Sequence, residues 1–406
     1  MKSQQRSETA PQSSYAGGQR LPLGALLALA TAVFVTSLTE TLPAGLLLGM
    51  SADLGVGEAA VGQTVTAYAA GTALTAVPLT AATAALSRKR LLAAAMAGFA
   101  VANTVTALST SYPLTMVARF AAGVAAGLAW ALLAGYARRI APAHLQGRAV
   151  AVAMAGIPVA LSLGVPAGTF LGEAVGWRAA FWGVTAVTVG LLGWLAAAVP
   201  DVPGTPAAGR ESAEGRAPMF AVLRVPGVAA VLAVTAVFVL AHTALYAYVA
   251  AYLERLGMGG ATGPVLLVFG GASLVSLWAV GAYVHGRLRA LTLASTLLVT
   301  VAAAVLAVVG DSPPLVYAAA VLWGLGWGGV PTLLQTAAAD AAGDAVDAAQ
   351  ALLVTLWNAA MAAGGALGGV LLERAGTAAL PWTVAVLLVP VLAVVGAARA
   401  HGFPHA

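Results

Sequence analysis

About twelve apolar runs of 18 or more residues, separated by short polar breaks, constrain the fold of this chain more than any other feature. Each run is long enough to cross roughly 30 Å of hydrocarbon as an α-helix. Strands of a membrane barrel would alternate polar and apolar residues, and these runs do not. Because 61% of the residues are hydrophobic and only 8% are charged, a soluble core cannot hold this apolar surface. The sequence therefore predicts a polytopic α-helical membrane protein.

Several classes of function lack the residues that they require. The chain has no cysteine, which excludes a disulfide framework and a thiolate metal site. Its histidines are scattered without metal-ligand spacing, and the sequence has neither a catalytic triad nor a phosphate-binding glycine loop. We therefore expect no cofactor and no enzymatic activity. The positive residues lie in the breaks, where membrane topology explains them, so nucleic-acid binding is not expected.

The breaks divide the chain into two groups of six spans. A central stretch that mixes Pro, Gly and charged residues is typical of a linker, and the polar N-terminus is typical of a disordered tail. We predict a disordered cytoplasmic tail at 1–20, a six-helix bundle at 21–199, a cytoplasmic linker at 200–225, a second six-helix bundle at 226–400 and a cytoplasmic tail at 401–406.

Lysine and arginine are distributed unevenly between the two sides. Most of the 19 lie in the N-terminal tail, the linker and every second break. The other breaks hold only Arg178, Arg255 and Arg374, and Arg119 lies within a span. Since loops rich in lysine and arginine face the cytoplasm, both termini are predicted to be cytoplasmic, in a cell inner membrane.

The second half of the chain repeats the first at a constant offset of 201 residues. This offset pairs Gly62 with Gly263, Arg88 with Arg289, Pro113 with Pro314, Gly123 with Gly324, Gly127 with Gly328, Gly164 with Gly365 and Gly168 with Gly369. Transporters are often built from such parallel repeats, with the substrate between them at the midplane. The predicted fold is an all-α membrane protein of twelve transmembrane helices, arranged as two pseudo-symmetric six-helix bundles.

Two charged residues lie well inside spans, and the repeat gives each an uncharged counterpart. Glu40 pairs with Ala241, and Arg119 pairs with Ala320. At about 1.5 Å per residue, Glu40 lies about 12 Å from the end of its apolar run near Leu48. A charge in hydrocarbon costs several kcal/mol and usually faces a cavity or a partner. A carboxylate that alternately pairs with an arginine and takes up a proton would couple a proton gradient to transport. The alternatives are a fixed structural bridge or a hydrated Glu40.

Glycines form a stripe on the fifth span. Gly156, Gly164, Gly168 and Gly172 recur at multiples of four, and Pro166 lies among them. Such a bare face lets a neighbouring membrane helix approach closely enough for dispersion contacts to hold the pair. A general packing face is one interpretation of this stripe, and a functional motif is the other.

Several stretches resemble the major facilitator superfamily, and in particular its efflux branch. The glycine stripe with Gly176, Trp177 and Arg178 looks like the antiporter motif of the fifth helix. Residues 39–47 look like the first helix of arabinose-efflux and chloramphenicol-efflux permeases. Arg119 with Gly123 and Gly127 is similar to the fourth-helix motif, whose arginine is tied to proton transfer. Asn358 with Gly364, Gly365, Gly368 and Gly369 resembles the eleventh-helix signature.

The resemblance also implies a substrate cavity, which spans one, four, seven and ten line in that superfamily. The aromatic and polar residues that could line it are Tyr246, Trp130, Trp323, Trp327, Asn358 and Gln335. Aromatic anchors at the membrane interface and polar groups that join helices are the alternatives. His242 is a further candidate for proton coupling, because an intramembrane histidine could titrate near physiological pH.

A cytoplasmic gate is the last feature that the resemblance implies. Arg88, Lys89 and Arg90 stand in its place, but Ala84 lies about where the aspartate of the superfamily's gate would fall. Membrane topology alone is the other explanation of these three cations.

The sequence as a whole predicts a proton-coupled exporter of small organic molecules that works by alternating access. A drug or natural product resembling chloramphenicol is the first choice of substrate, a sugar or nucleoside is the second, and a non-transporting membrane receptor is the rival from another class. The expected partners are a small-molecule substrate, protons and the lipid bilayer. A monomer is expected, with the proton gradient as energy source in place of a cofactor.

Overall fold

The computed structural model describes residues 20–83, 85–203, 219–284, 286–309, 312–398 and 402–403, and most of them are helical. The predicted N-terminal tail up to residue 19, most of the predicted linker and most of the predicted C-terminal tail lie outside the described residues.

Twelve long helices follow one another through the described part of the chain. The first half contains α1 (Leu23–Leu54), α2 (Glu58–Ala82), α3 (Arg88–Leu108), α4 (Tyr112–Arg139), α5 (Ala143–Val175) and α6 (Trp177–Ala198). The second half contains α7 (Val228–Tyr246), α8 (Thr262–Tyr283), α9 (Leu288–Val309), α10 (Pro313–Ala342), α11 (Val346–Ala375) and α12 (Ala379–Ala397). A short helix, Val249–Arg255, follows α7. All of the twelve except α2 are identified as long and apolar enough to cross a membrane, and large apolar side chains such as Trp278 are exposed on the outside.

The two halves pack their helices in the same pattern. In the first half α4 contacts α2 and α3, and α1 contacts α5 and α6; in the second, α10 contacts α8 and α9, and α7 contacts α11 and α12. The 201-residue offset also holds for individual contacts. A Cβ atom on Gly123 would overlap the carbonyl of Tyr68, and one on Gly324 would overlap the carbonyl of Phe269, the residue 201 positions after Tyr68. The prediction of two pseudo-symmetric six-helix bundles is confirmed.

The first helix is longer than its apolar run predicts. The sequence places a break from Gly49 onward, but α1 continues to Leu54 and ends at Gly55, whose φ of 64° is left-handed and suits glycine. Contacts of the Asp53 carboxylate stabilise these extra turns. This carboxylate forms an ion pair with Arg178 and accepts a hydrogen bond from Trp177 Nε1 at 3.0 Å. Hereafter the end of the molecule that contains Leu54 is called the predicted outer face.

The fifth helix contains one irregular turn. Residues Ala160–Gly164 form a π-turn, with α-helix before and after it. Pro158 and Pro166 stand on either side, and a proline cannot donate the backbone hydrogen bond that a regular helix would require there. Single π-turns within α-helices are often found at functional sites. This turn carries Ser162, whose hydroxyl donates to the carbonyl of Gly270 on α8 at 2.7 Å.

Candidate functional site

Arg119 on α4 is fully buried, and its guanidinium bonds backbone carbonyls. Nη2 donates to the carbonyl of Glu40 at 3.3 Å, and Nε donates to the carbonyl of Thr64 at 3.5 Å. The ring of Tyr68 lies 5.0 Å from the guanidinium carbon, within the range of a cation–π interaction. Nη1 has no hydrogen-bond partner among the described residues. Arg119 therefore keeps one unused donor beside α1.

Glu40 lies on α1 next to Arg119, and its side chain is partly exposed. In the part of the chain that the structure describes, the one salt bridge joins Arg178 to Asp53, so the Glu40 carboxylate and the Arg119 guanidinium are close without being paired. Polar groups surround them. The Asn103 amide donates to the Thr39 hydroxyl at 3.1 Å, and the buried Thr64 hydroxyl has no hydrogen-bond partner in the described part of the chain.

An aromatic cluster fills the middle of the second bundle. The imidazole of His242 lies parallel to the indole of Trp327, with ring centroids 3.4 Å apart, and Tyr246 stacks on His242 at 5.2 Å. Trp323 Nε1 donates to His242 Nδ1 at 3.0 Å. These four side chains are defined here as the aromatic cluster. The structure brings His242, predicted for proton coupling, together with three residues predicted to line the substrate cavity.

The other predicted cavity residues are more scattered. Asn358 on α11 donates to the carbonyl of Val354 in its own helix at 3.0 Å, and the neighbouring Trp357 lies 5.8 Å from Trp327. Trp130 on α4 is half-buried, and Gln335 on α10 is exposed. None of these residues shares a hydrogen bond with the aromatic cluster in the described structure.

The glycine stripe of α5 packs against α1. Atoms of α1 within 4 Å of the position that a Cβ would occupy belong to Ala30, Val33 and Phe34 for Gly156, to Phe34 and Leu38 for Gly164, to Leu42 for Gly168, and to Leu46 for Gly172. Pro166 is buried in the same run. The partner positions on α1 also advance by about four residues, which is the pattern of two helices whose backbones run close together.

The predicted cytoplasmic gate contacts the end of its own bundle. Arg88 donates its backbone N–H to the carbonyl of Val202 at 2.9 Å, and Lys89 Nζ donates to the carbonyl of Ala196 at 2.8 Å. Arg90 is exposed, and its backbone N–H is capped by Ser87. These bonds tie the start of α3 to the end of α6.

Tyr248 joins the two bundles near the predicted outer face, a role that the sequence did not indicate. Its hydroxyl donates to the carbonyl of Gly365 on α11 at 2.8 Å and accepts from Gln63 Nε2 on α2 at 3.0 Å. The ring is fully buried, and a Cβ on Gly62 or Gly368 would overlap it. The glycines at which α2 and α11 meet are the only signal in the sequence for this contact. Tyr248 and Gln63 are called the outer latch below.

We expect Tyr248→Phe to open the predicted outer face more often, because the change removes every hydrogen bond of the hydroxyl, including a longer one to the carbonyl of Ala59 at 3.4 Å. One such bond contributes about 1 kcal/mol, or roughly fivefold in the open population. The chain has no cysteine, so a single Ala59→Cys at this buried contact can report opening through its rate of labelling by a membrane-impermeant maleimide. Tyr317→Phe on α10 is the matched control. Equal labelling rates in wild type and Tyr248→Phe would show that the hydroxyl does not hold this face closed.

Comparison with known proteins identifies the family. The model described as Major Facilitator Superfamily matches residues 29–347, which is well over half of the chain. The chain belongs to the Major Facilitator Superfamily. It is therefore a multi-pass membrane transporter of that superfamily, with the two-bundle fold described above.

Two relatives and one solved structure are similar to this chain over most of its length. The chain is 30% identical over 366 residues to the transcription regulatory protein OpdE of Pseudomonas aeruginosa, covering 89% of this chain and 90% of the relative. It is also 30% identical over 360 residues to the purine ribonucleoside efflux pump NepI of Salmonella typhimurium, covering 87% and 88%. The crystal structure of the nucleoside transporter NupG matches with a TM-score of 0.73 at 12% identity, covering 92% of this chain and 99% of NupG. At that identity NupG supports the fold alone.

Proposed function

We propose that this transporter exports small organic molecules that carry a flat ring, in exchange for protons. The observation that supports this function best is the division of chemistry between the bundles. A buried arginine beside a carboxylate lies in the first bundle, and the aromatic cluster lies in the second. A substrate at the midplane between repeats would lie between the two.

The proposed coupling alternates between two states of Glu40. In one state the carboxylate is ionised and pairs with the unused Arg119 donor; in the other it is protonated and Arg119 stays on backbone carbonyls. The hydrogen bond from Arg119 to the Glu40 carbonyl fits the second state. Because an ion pair and a neutral carboxyl favour different arrangements of α1 and α4, proton uptake can shift the balance between outward-open and inward-open forms. Proton coupling at His242, which the sequence predicts, is the alternative to the ligand role that we propose for this residue below.

Two substrate classes suit the aromatic cluster. Stacked rings bind flat molecules through dispersion and quadrupole interactions. The 30% identity to a purine ribonucleoside efflux pump favours a nucleoside. A drug or natural product of the chloramphenicol kind, which also carries an aromatic ring, is the second candidate. In either case we propose that both termini lie in the cytoplasm and that the transporter works as a monomer.

Transport into sealed vesicles tests the proposal. Purified protein is reconstituted, a proton gradient is imposed, and uptake of inosine, chloramphenicol and arabinose is measured. We expect accumulation of inosine or chloramphenicol above the external concentration, and collapse of that accumulation when a protonophore removes the gradient. Arabinose, which has no aromatic ring, is the matched negative probe. Accumulation of arabinose alone would overturn the aromatic substrate class, and accumulation that survives the protonophore would overturn proton coupling.

A further inference from the structure

The ring of His242 is held on more than one side. Trp327 covers one face of the imidazole with the planes inclined by only 4°, and Trp323 bonds Nδ1 from the edge. Only 7% of the residue is exposed. An imidazole packed between an indole face and an indole N–H cannot rotate freely about its side-chain bonds. Its orientation is therefore fixed before any substrate arrives.

The bond from Trp323 also fixes the position of the imidazole proton. An indole N–H is a donor and has no acceptor atom, so the nitrogen that it contacts must present a lone pair. A neutral imidazole has one lone pair and one N–H. With Nδ1 accepting from Trp323, the N–H is on Nε2. Within the described residues Nε2 makes no hydrogen bond, so this donor is available.

Tyr246 provides a second unused polar group in the same cluster. Its hydroxyl is buried and has no hydrogen-bond partner among the described residues, and the residue is only 7% exposed. A buried hydroxyl without a partner is destabilising, because it has given up its hydrogen bonds to water without replacing them. Tyr246 stacks on His242, so both unused groups belong to one aromatic surface. A fixed donor and an unpartnered buried hydroxyl on two stacked side chains are features of a site that a ligand completes.

We propose that His242 Nε2–H and the Tyr246 hydroxyl form a subsite that binds a hydrogen-bond acceptor of the substrate, with Trp323 as the positioning residue that selects the tautomer. This inference rests on the function proposed above and adds the chemistry of recognition. The preferred substrate is an uncharged molecule with a flat ring and a carbonyl, hydroxyl or ring-nitrogen acceptor. Trp327 stacks on His242 and keeps its donor in place.

A ligand role and a proton-carrying role for His242 make opposite demands on the side chain. A proton carrier must accept a second proton, which would put an N–H on Nδ1 facing the N–H of Trp323. A substrate ligand needs only the donor on Nε2. Glutamine can supply an N–H donor at a comparable distance from the backbone but cannot take up a proton at neutral pH, so His242→Gln separates the two roles.

The first measurement is transport and binding in the vesicles described above, with inosine and chloramphenicol as probes. We expect His242→Leu to raise the dissociation constant about tenfold, since a buried acceptor of the substrate loses its donor. His242→Gln should have an affinity between wild type and His242→Leu and should still accumulate probe against a gradient. Tyr246→Phe should weaken binding severalfold, with Tyr317→Phe as the matched control. Thermal unfolding of each variant identifies any that fail to fold.

The second measurement is independent of transport. Nitrogen NMR of histidine-labelled protein at pH 7.5 reports the tautomer, with the His242 signals assigned by their loss in His242→Gln. We expect the N–H on Nε2 in wild type and a mixture of tautomers in Trp323→Phe. An N–H on Nδ1 in wild type would overturn the subsite even if transport is active. If wild type moves neither probe while the tautomer is as expected, the proposed function fails and the positioning by Trp323 stands.

Loss of gradient-driven accumulation in His242→Gln, with binding retained, would overturn the ligand role and make His242 the proton carrier. Unchanged affinity in both His242→Leu and Tyr246→Phe would also overturn the subsite, because two donors that contact substrate cannot both be removed without effect.

Discussion

Gly156→Ala should unfold the transporter at a markedly lower temperature and abolish transport. The added Cβ would overlap the carbonyl oxygen of Ala30 and lie 2.7 Å from the backbone nitrogen of Phe34. Both atoms are helix backbone, so α1 and α5 must separate over several turns to make room. Overpacking of this kind costs about 1 to 3 kcal/mol, and more where the neighbour cannot move. Thermal unfolding of the purified protein and transport in vesicles measure the effect.

Two further glycines supply controls for this experiment. On Gly168 a Cβ would meet Leu42 Cδ1 at 2.5 Å, the far end of a flexible side chain, so Gly168→Ala should be milder than Gly156→Ala. On Gly193 of α6 nothing lies within 4 Å, so Gly193→Ala should match or exceed wild-type stability, since alanine favours the helix by about 1 kcal/mol. If Gly156→Ala unfolded at the same temperature as Gly193→Ala, that result would contradict the close approach of α1 and α5.

Glu40→Gln should stop accumulation of substrate against a gradient while leaving substrate binding in place. Glutamine imitates the protonated carboxyl and cannot ionise, so Arg119 never acquires its carboxylate partner and the proton no longer drives the cycle. We expect accumulation to fall to the equilibrium level, whereas exchange of substrate across the membrane without a proton gradient continues. The comparison uses labelled inosine or chloramphenicol in vesicles, with binding measured on the purified protein.

The matched control for this change is Glu373→Gln, which removes an exposed carboxylate at the end of α11 and should accumulate substrate as wild type does. Concentrative export by Glu40→Gln equal to wild type would show that another group carries the proton. Loss of binding together with transport would instead make Glu40 a substrate ligand. Each result assigns Glu40 a different role, so the experiment distinguishes among all three.

Sequence predicted the parts of this structure that depend on the repeat. Gly123 and Gly324 meet equivalent carbonyls because each half must bring two helices to the same backbone distance, and only glycine allows that approach. The proximity of Glu40 to Arg119 could be predicted for a related reason, since a charge in hydrocarbon needs a polar neighbour at similar depth. Both features follow from rules that act on single positions.

Contacts between the bundles could not be predicted in the same way. The place of Tyr248 in the outer latch depends on a register between α2 and α11 that no periodicity encodes. The parallel stacking of His242 on Trp327 likewise depends on side-chain rotamers set by the packing of α7 against α10. The length of α1 was underestimated because the ion pair of Asp53 with Arg178 joins residues far apart in the chain.

The π-turn of α5 places one extra residue in the helix, so the hydrogen bonding there differs from that of the regular α-helix on either side. Such a defect moves along a helix by exchanging one amide donor for the next, but a proline has no amide hydrogen to exchange. Pro158 and Pro166 therefore pin the defect at Ala160–Gly164, where Ser162 attaches it to the opposite bundle. We expect α5 to bend at this turn, rather than elsewhere along the helix, in each transport cycle.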